Sequence, residues 1–331
     1  MILTRYLYKK SQVEYSLFIS LLNRDCNEAL FWTYELYFSG FKTETFLLLI
    51  KYYYMLYGAF YVCLEKFVQS NFKKWLNNKN DHTCIGFLTL NLANREPCID
   101  IYFMMSNKLK YPNIFNKYLE NIEYNPLDNL RDFVTNFNCY NDYSILDNTY
   151  NLCNIKEIDN EILKYASISR MFSGLFLLDK INRLDINVDI LNFTETDLKP
   201  YLKRPIKFCK NWKLPEKQCK YKVKIPIEEE GISWPDLQNW MVNGWGCPLW
   251  KKRISNFGGS LCDNKIVFTD DDEMELFHNY YDLEPEEQPR IVVDQWFGEK
   301  PFKTYNQLYK KYKLDVFKEW FKERLKLVVN K

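Results

Sequence analysis

Histidine is almost missing from this chain of 331 residues, which holds only His82 and His278. That scarcity counts against most zinc-hydrolase and histidine acid–base schemes and leaves carboxylate chemistry open. Glycine is sparse too, at ten residues, so backbone cradles for nucleotide phosphates are hard to build. Accordingly there is no GxxxxGKS/T loop, GxGxxG fingerprint, HExxH pair or GxSxG elbow, and Gly258-Gly259 reads as a turn. The ten cysteines are scattered without a single CxxC pair. With no signal-peptide pattern in MILTRYLYKK, they read as free thiols in a reducing compartment. No charge dominates: the net value is +2, which does not indicate a wholesale basic nucleic-acid binder. Alanine occurs only at Ala29, Ala59, Ala93 and Ala166, while Asn, Lys, Tyr, Phe and Ile abound. We read this as the imprint of an AT-biased genome, of the kind found in parasites, endosymbionts and many large DNA viruses.

What is present is apolar bulk. Hydrophobic residues make up 47% and aromatics 18%, enough for a large core and against global disorder. In RDCNEALFWTYELYFSGF (24–41), Asp25 and Glu28 predict an N-cap with a reciprocating carboxylate, and Gly40 suits the position past a helix end. Ala29, Leu30, Thr33, Leu36 and Tyr37 share one face, with Trp32 and Glu35 off it. Rings spread around the helix in this way predict core packing rather than a stacking platform.

FLLLIKYYYMLYGAFYVCL (46–64) is long enough to span a bilayer but carries Lys51 at its middle. Glu44, Lys51, Gly58 and Glu65 recur every seven residues, which predicts a buried helix showing a narrow polar stripe to water; Gly58 is a possible break. Further helices are expected over 81–94 and 159–181, the latter with Ile162, Tyr165, Ala166, Ile168 and Met171 near one face. PCIDIYFMM (97–105) fits either a strand or a helix, and 106–130 reads as loop between shorter helices.

Composition shifts near residue 195, where Pro200, Pro205, Pro215, Pro226 and Pro235 begin to punctuate the chain. We therefore expect a helical domain over 1–195 and a smaller α+β region over 196–331, with YKVKIPIE, KIVFT and RIVVDQW as its strand-like runs. The fold class is mainly α.

The stretch 199–224 carries ten basic residues against Glu216 alone. Lys203, Arg204, Lys207, Lys210, Trp212, Lys213, Lys220, Lys222 and Lys224 are its candidate contacts for nucleic acid or protein. Three readings stay open: phosphate contacts with base stacking, an arm across an acidic neighbour, and a solvated loop. Its counterpart, 269–289, is acidic. Asp270 to Glu275 lacks the ligand alternation and glycine of a calcium loop and reads as the cap of a helix running to about Tyr281, with His278 structural. SWPDLQNWMVNGWGCPLWKK (233–252) opens on a capping box, Ser233 with Asp236. It gathers Trp234, Trp240, Trp245 and Trp250, a profile of cores and of interface hot spots alike. Cys247 reads as an inert buried thiol, and the wide gaps among Cys209, Cys219, Cys247 and Cys262 make a weak zinc pattern. The last 28 residues predict an amphipathic helix, with Leu308, Tyr312, Val316 and Trp320 along one side.

One segment resembles a known group. Asp25, Glu28, Ala29, Leu30, Trp32, Glu35, Leu36, Gly40 and Phe41 match a helix that recurs near the start of a family of uncharacterised proteins of large nucleocytoplasmic DNA viruses. The resemblance covers about the first 80 residues and implies a viral origin more than a mechanism. A fainter similarity to the helical collar of clamp-loader-related ATPases implies helix packing and oligomerisation only. The expectation from all of this is a non-enzymatic structural protein, a minor capsid or virion assembly component without cofactor, metal or catalytic residues. It would bind other proteins of a viral assembly, reside in the virion and in host cytoplasm during assembly, and be unlikely to meet a membrane. The alternative is a nucleic-acid-binding accessory factor in replication or transcription, using 199–224.

Overall fold

A computed structural model describes residues 1–106, 156–178, 189–201, 220–281 and 284–313. Among these the chain is mainly α, with one two-stranded antiparallel hairpin, Ser260–Cys262 paired with Lys265–Val267. It divides into two compact units that are interleaved along the chain. One comprises Met1–Phe46, Ile85–Leu90 and Phe193–Lys303; the other comprises Leu47–Cys84, Asn91–Asn192 and Thr304–Lys331. The break expected near 195 falls close to one crossing point, at 192/193, yet the units are not the sequential pair 1–195 and 196–331.

The first unit is built on helix α1 (Lys10–Leu22), which packs against α2 (Cys26–Phe38). The start of α2 is capped as expected, the Asp25 carboxylate accepting from the Glu28 amide at 2.9 Å. The Glu28 side chain does not reciprocate. It accepts instead from Trp32 Nε1 at 3.1 Å, because a buried indole N–H needs an acceptor within reach.

At its end, α2 closes in a Schellman turn: the Phe41 amide donates to the Leu36 carbonyl and the Gly40 amide to that of Tyr37. Gly40 sits at φ +102°, and a Cβ there would lie 2.6 Å from Pro248 Cβ. Gly40→Ala should therefore cost about 1–3 kcal/mol of stability. Equilibrium urea unfolding checks this, and an unchanged midpoint would count against the close approach.

Residues Leu3–Tyr8 are buried between α2 and the tryptophan-rich region, so the N-terminal segment shares one core with residues from Phe193–Lys303. Trp250 Nε1 donates to the Thr4 carbonyl (3.2 Å), Trp296 Nε1 to that of Tyr6 (2.7 Å), and Ser39 Oγ accepts from the Arg5 amide (2.8 Å).

Two of the three strand-like runs do not form strands. RIVVDQW is helical over Arg290–Phe297, because Val292 and Trp296, four residues apart, are the fully buried positions while Ile291 faces solvent. YKVKIPIE runs extended, but its only bridge is Lys224 to Glu299, at the point where that helix ends on Gly298. KIVFT supplies the second hairpin strand.

In the second unit, the apolar run from Phe46 does not stay in one regular helix. Helix α3 (Lys42–Tyr52) passes into a π-helical turn, Tyr53–Tyr57, closed by the Gly58 amide donating to the Tyr53 carbonyl (2.8 Å). A new helix, α4 (Leu64–Asn77), follows a short turn, so Gly58 does mark a break. No helix among the described residues is long and apolar enough to cross a membrane. Helices over Thr83–Ala93, Ile99–Ser106 and Asn160–Leu178 also form, which resolves PCIDIYFMM as helix. The loop expected over 106–130 lies almost entirely outside the described residues. A helix forms over Tyr305–Tyr312, with Leu308 buried, but it ends there, since Lys313 is extended (φ −60°, ψ 143°). The single helix expected over the last 28 residues is therefore interrupted; Val316 and Trp320 lie outside the described residues.

Candidate functional site

Buried ionisable groups are the first place to look for chemistry, since taking a charge out of water is costly unless something compensates it. In the first unit Glu35 is fully buried. It accepts from Arg5 Nε at 2.8 Å and from the Tyr6 amide at 3.1 Å. The Arg5 guanidinium also lies 4.5 Å from the centre of the Tyr6 ring and 5.1 Å from that of Phe38. This carboxylate is committed to holding the N-terminal segment on α2.

The second unit carries the denser cluster. Glu65, at the start of α4, is ion-paired with Arg170 of the helix Asn160–Leu178, and both are buried. Tyr54 of the π-helical turn donates its hydroxyl to Glu65 at 2.7 Å. Burial opposes the Arg170 cation, but the Glu65 carboxylate overrides it and raises the guanidinium above its ordinary pKa. Burial, and then the same carboxylate, push the Tyr54 phenol well up, so it stays protonated as a donor.

The seven-residue stripe is thereby corrected. Lys51 meets Glu161 at 2.8 Å, Gly58 is buried against Ser169, and Glu65 meets Arg170. The correction is partial: Gly58 and Glu65 face the helix Asn160–Leu178 and not water, whereas Glu44 and Lys51, the first two of the series, keep exposed or half-exposed side chains as expected. Sequence reading saw the spacing but could not see the partner helix, about 100 residues further along the chain. Around the cluster the packing is tight: a Cβ at Gly58 would come 2.4 Å from Ser169 Oγ. The arrangement is a buried network that ties α4 and the π-helical turn to the helix Asn160–Leu178.

The thiol at Cys247 behaves in the same way. It is buried, its Sγ donates to the Ser39 carbonyl at 3.2 Å, and burial pushes its pKa up to about 11. Alkylation at neutral pH should therefore label the exposed Cys63 and Cys262 and spare Cys247 until the protein unfolds, as peptide mass spectrometry would read. Early labelling of Cys247 would refute its burial. Among the described residues no group of three or more His, Cys, Asp or Glu side chains is placed to hold a metal ion. Asp270 instead caps helix α12 (Asp271–Tyr281) by accepting from the Glu273 amide at 2.8 Å, and His278 packs on Phe268 and Phe277.

The four tryptophans separate into two pairs. Trp240 and Trp250 are core residues, their ring centres 4.9 Å apart at a steep angle, so they are not interface aromatics. Trp234 is 41% exposed and touches Phe297 edge-on, and Trp245 is half-buried beneath Lys251. The Ser233–Asp236 capping box forms, but its helix ends at Gln238 and a second short one runs from Trp240 to Gly244.

Of the basic candidates, Lys203, Arg204, Lys207, Lys210, Trp212 and Lys213 lie outside the described residues. Lys220 and Lys222 are exposed, while Lys224 pairs with Glu299. Tyr221 is turned inward against Phe31 and Trp32, so this ring anchors the end of the basic stretch to α2.

A surface that sequence reading missed lies on α12. Half of the ten exposed large hydrophobic residues among those described fall within 261–280: Leu261, Val267, Met274, Leu276 and Tyr280. They are not one patch: the pairing of Leu261 with Ile266 puts Leu261 and Val267 on opposite faces of the hairpin, and Met274, two residues before Leu276, lies across the helix from it. Leu276 and Tyr280, four residues apart, are the pair that shares one exposed side. Alternation and helical spacing both allow these residues to be buried, so the signal lies only in their accessibility. Comparison with protein-family models, curated proteins and solved structures finds no match to this chain.

Proposed function

We propose that this chain is a non-enzymatic structural protein of a large DNA virus, a minor capsid or virion assembly component that works by binding other proteins. The observation that carries the protein-binding role is the exposed pair Leu276 and Tyr280, which share one side of α12 among that helix's carboxylates. The buried charges support the same reading, because Glu35 is committed to holding the N-terminal segment on α2, and Glu65 and Arg170 to joining two helices. The viral assignment rests on the composition and on the resemblance of residues 24–41.

Fractionation of purified particles, with the chain quantified by mass spectrometry, tests the proposal. A fixed stoichiometry relative to the major shell protein is expected. Confinement to the soluble fraction, together with salt-sensitive affinity for DNA or RNA, would transfer the role to a nucleic-acid accessory factor.

A further inference from the structure

On α12, Leu276 and Tyr280 stand four residues apart on one side of the helix, 54% and 36% exposed, while Phe277 is fully buried on another. Asp272, four residues before Leu276, and Glu273, three before it, flank this apolar pair, and Asp271 and Glu275 add exposed carboxylates on the adjoining face. The surface thus offers two apolar footholds edged by negative charge. An occupant suited to it presents aromatic or aliphatic anchors between cations.

The chain carries such a sequence itself. Residues 199–224 hold ten basic side chains against one acidic one, with Tyr201, Phe208, Trp212 and Tyr221 interleaved. Both ends of that stretch that are described sit on the opening turns of α2: the Tyr201 hydroxyl bonds the Asn27 side chain, and Tyr221 packs on Phe31 and Trp32. Its sequence complements the α12 face in charge and in apolar content. Two different segments of one chain whose chemistry is complementary define a head-to-tail contact rather than a two-fold one.

We propose that the Asp272–Leu276–Tyr280 face of one copy is the docking site for the basic, aromatic stretch 199–224 of a second copy. This rests on the reading of the chain as an assembly protein and names the contact by which it would assemble.

Complementation tests it on the full chain. One variant removes the apolar face (Leu276→Ser with Tyr280→Ser), and a second reverses the arm (Lys203→Glu, Arg204→Glu, Lys207→Glu and Lys210→Glu). Sedimentation velocity should show concentration-dependent association of the parent chain, weakened at least roughly tenfold in either variant and by about 0.5 M salt. An equimolar mixture of the two variants should recover dimers but not longer species, since one intact face meets one intact arm. Circular dichroism melts of the Leu276→Ser, Tyr280→Ser variant should stay close to the parent's, because both side chains are exposed. Association unchanged in either variant, or a mixture that stays monomeric, would overturn the proposal while leaving the particle-fractionation result to decide the broader reading. A parent chain that stays monomeric, with the arm protected from trypsin only while the α12 face is intact, would place the contact within one copy and also overturn it.

Discussion

Replacing Arg170 with Met should cost the second unit about 3–5 kcal/mol, because the Glu65 carboxylate would remain buried without its counter-charge. Glu65→Gln should be comparably damaging in the opposite sense, leaving the Arg170 cation uncompensated while the amide oxygen still accepts from Tyr54. The double variant, Glu65→Gln with Arg170→Met, removes both charges and should recover part of the loss, since a buried pair costs most when only half of it remains. Urea unfolding of the three variants, compared as a double-mutant cycle, reads this directly. Losses below about 1 kcal/mol in both single variants would mean that water reaches the pair, and the account of the seven-residue stripe would fail with it.

The second large effect separates the tryptophans that sequence alone left together. Trp250→Ala should lose about 3–5 kcal/mol: it vacates a fully buried volume against Trp240 and removes one of the two donors to the Thr4 carbonyl, the Leu7 amide being the other. Trp234→Ala, at an exposed position against Phe297, should change stability by well under about 1 kcal/mol. Thermal melts followed by tryptophan fluorescence would distinguish the two. Equal effects would show that the division into a core pair and a surface pair is wrong. An effect of Trp234→Ala on association without one on stability would extend the interaction surface toward the Phe297 edge.

The nine residues singled out between Asp25 and Phe41 illustrate how structure assigns roles to a pattern. Asp25 caps α2, Glu28 holds the Trp32 indole, and Glu35 holds Arg5. Gly40 turns the chain, where Pro248 leaves no space for a side chain. These are all fold-bearing positions, so the segment specifies a packing arrangement and none of these four roles is catalytic. A resemblance confined to it carries information about architecture rather than chemistry.

By itself the amino-acid sequence determined the mainly α class, several of the helices and the caps at Asp25, Ser233 and Asp270, because 3.6-residue periodicity and capping chemistry act within a few residues of one another. But it read RIVVDQW as a strand and left PCIDIYFMM open. It also determined that Asp270 begins a helix and that Cys247 is a sheltered thiol. Only the tertiary structure decided which helix received each face. The stripe of Lys51, Gly58 and Glu65 faces Glu161, Ser169 and Arg170, and Trp296 belongs to a helix because its indole reaches the Tyr6 carbonyl. Only the folded chain, likewise, shows residues 1–46 sharing a core with 193–303, and Leu276 and Tyr280 left in water. The reason is physical: local propensity is read along the chain, whereas burial and charge pairing depend on partners a hundred or more residues away, whose identity no local pattern encodes.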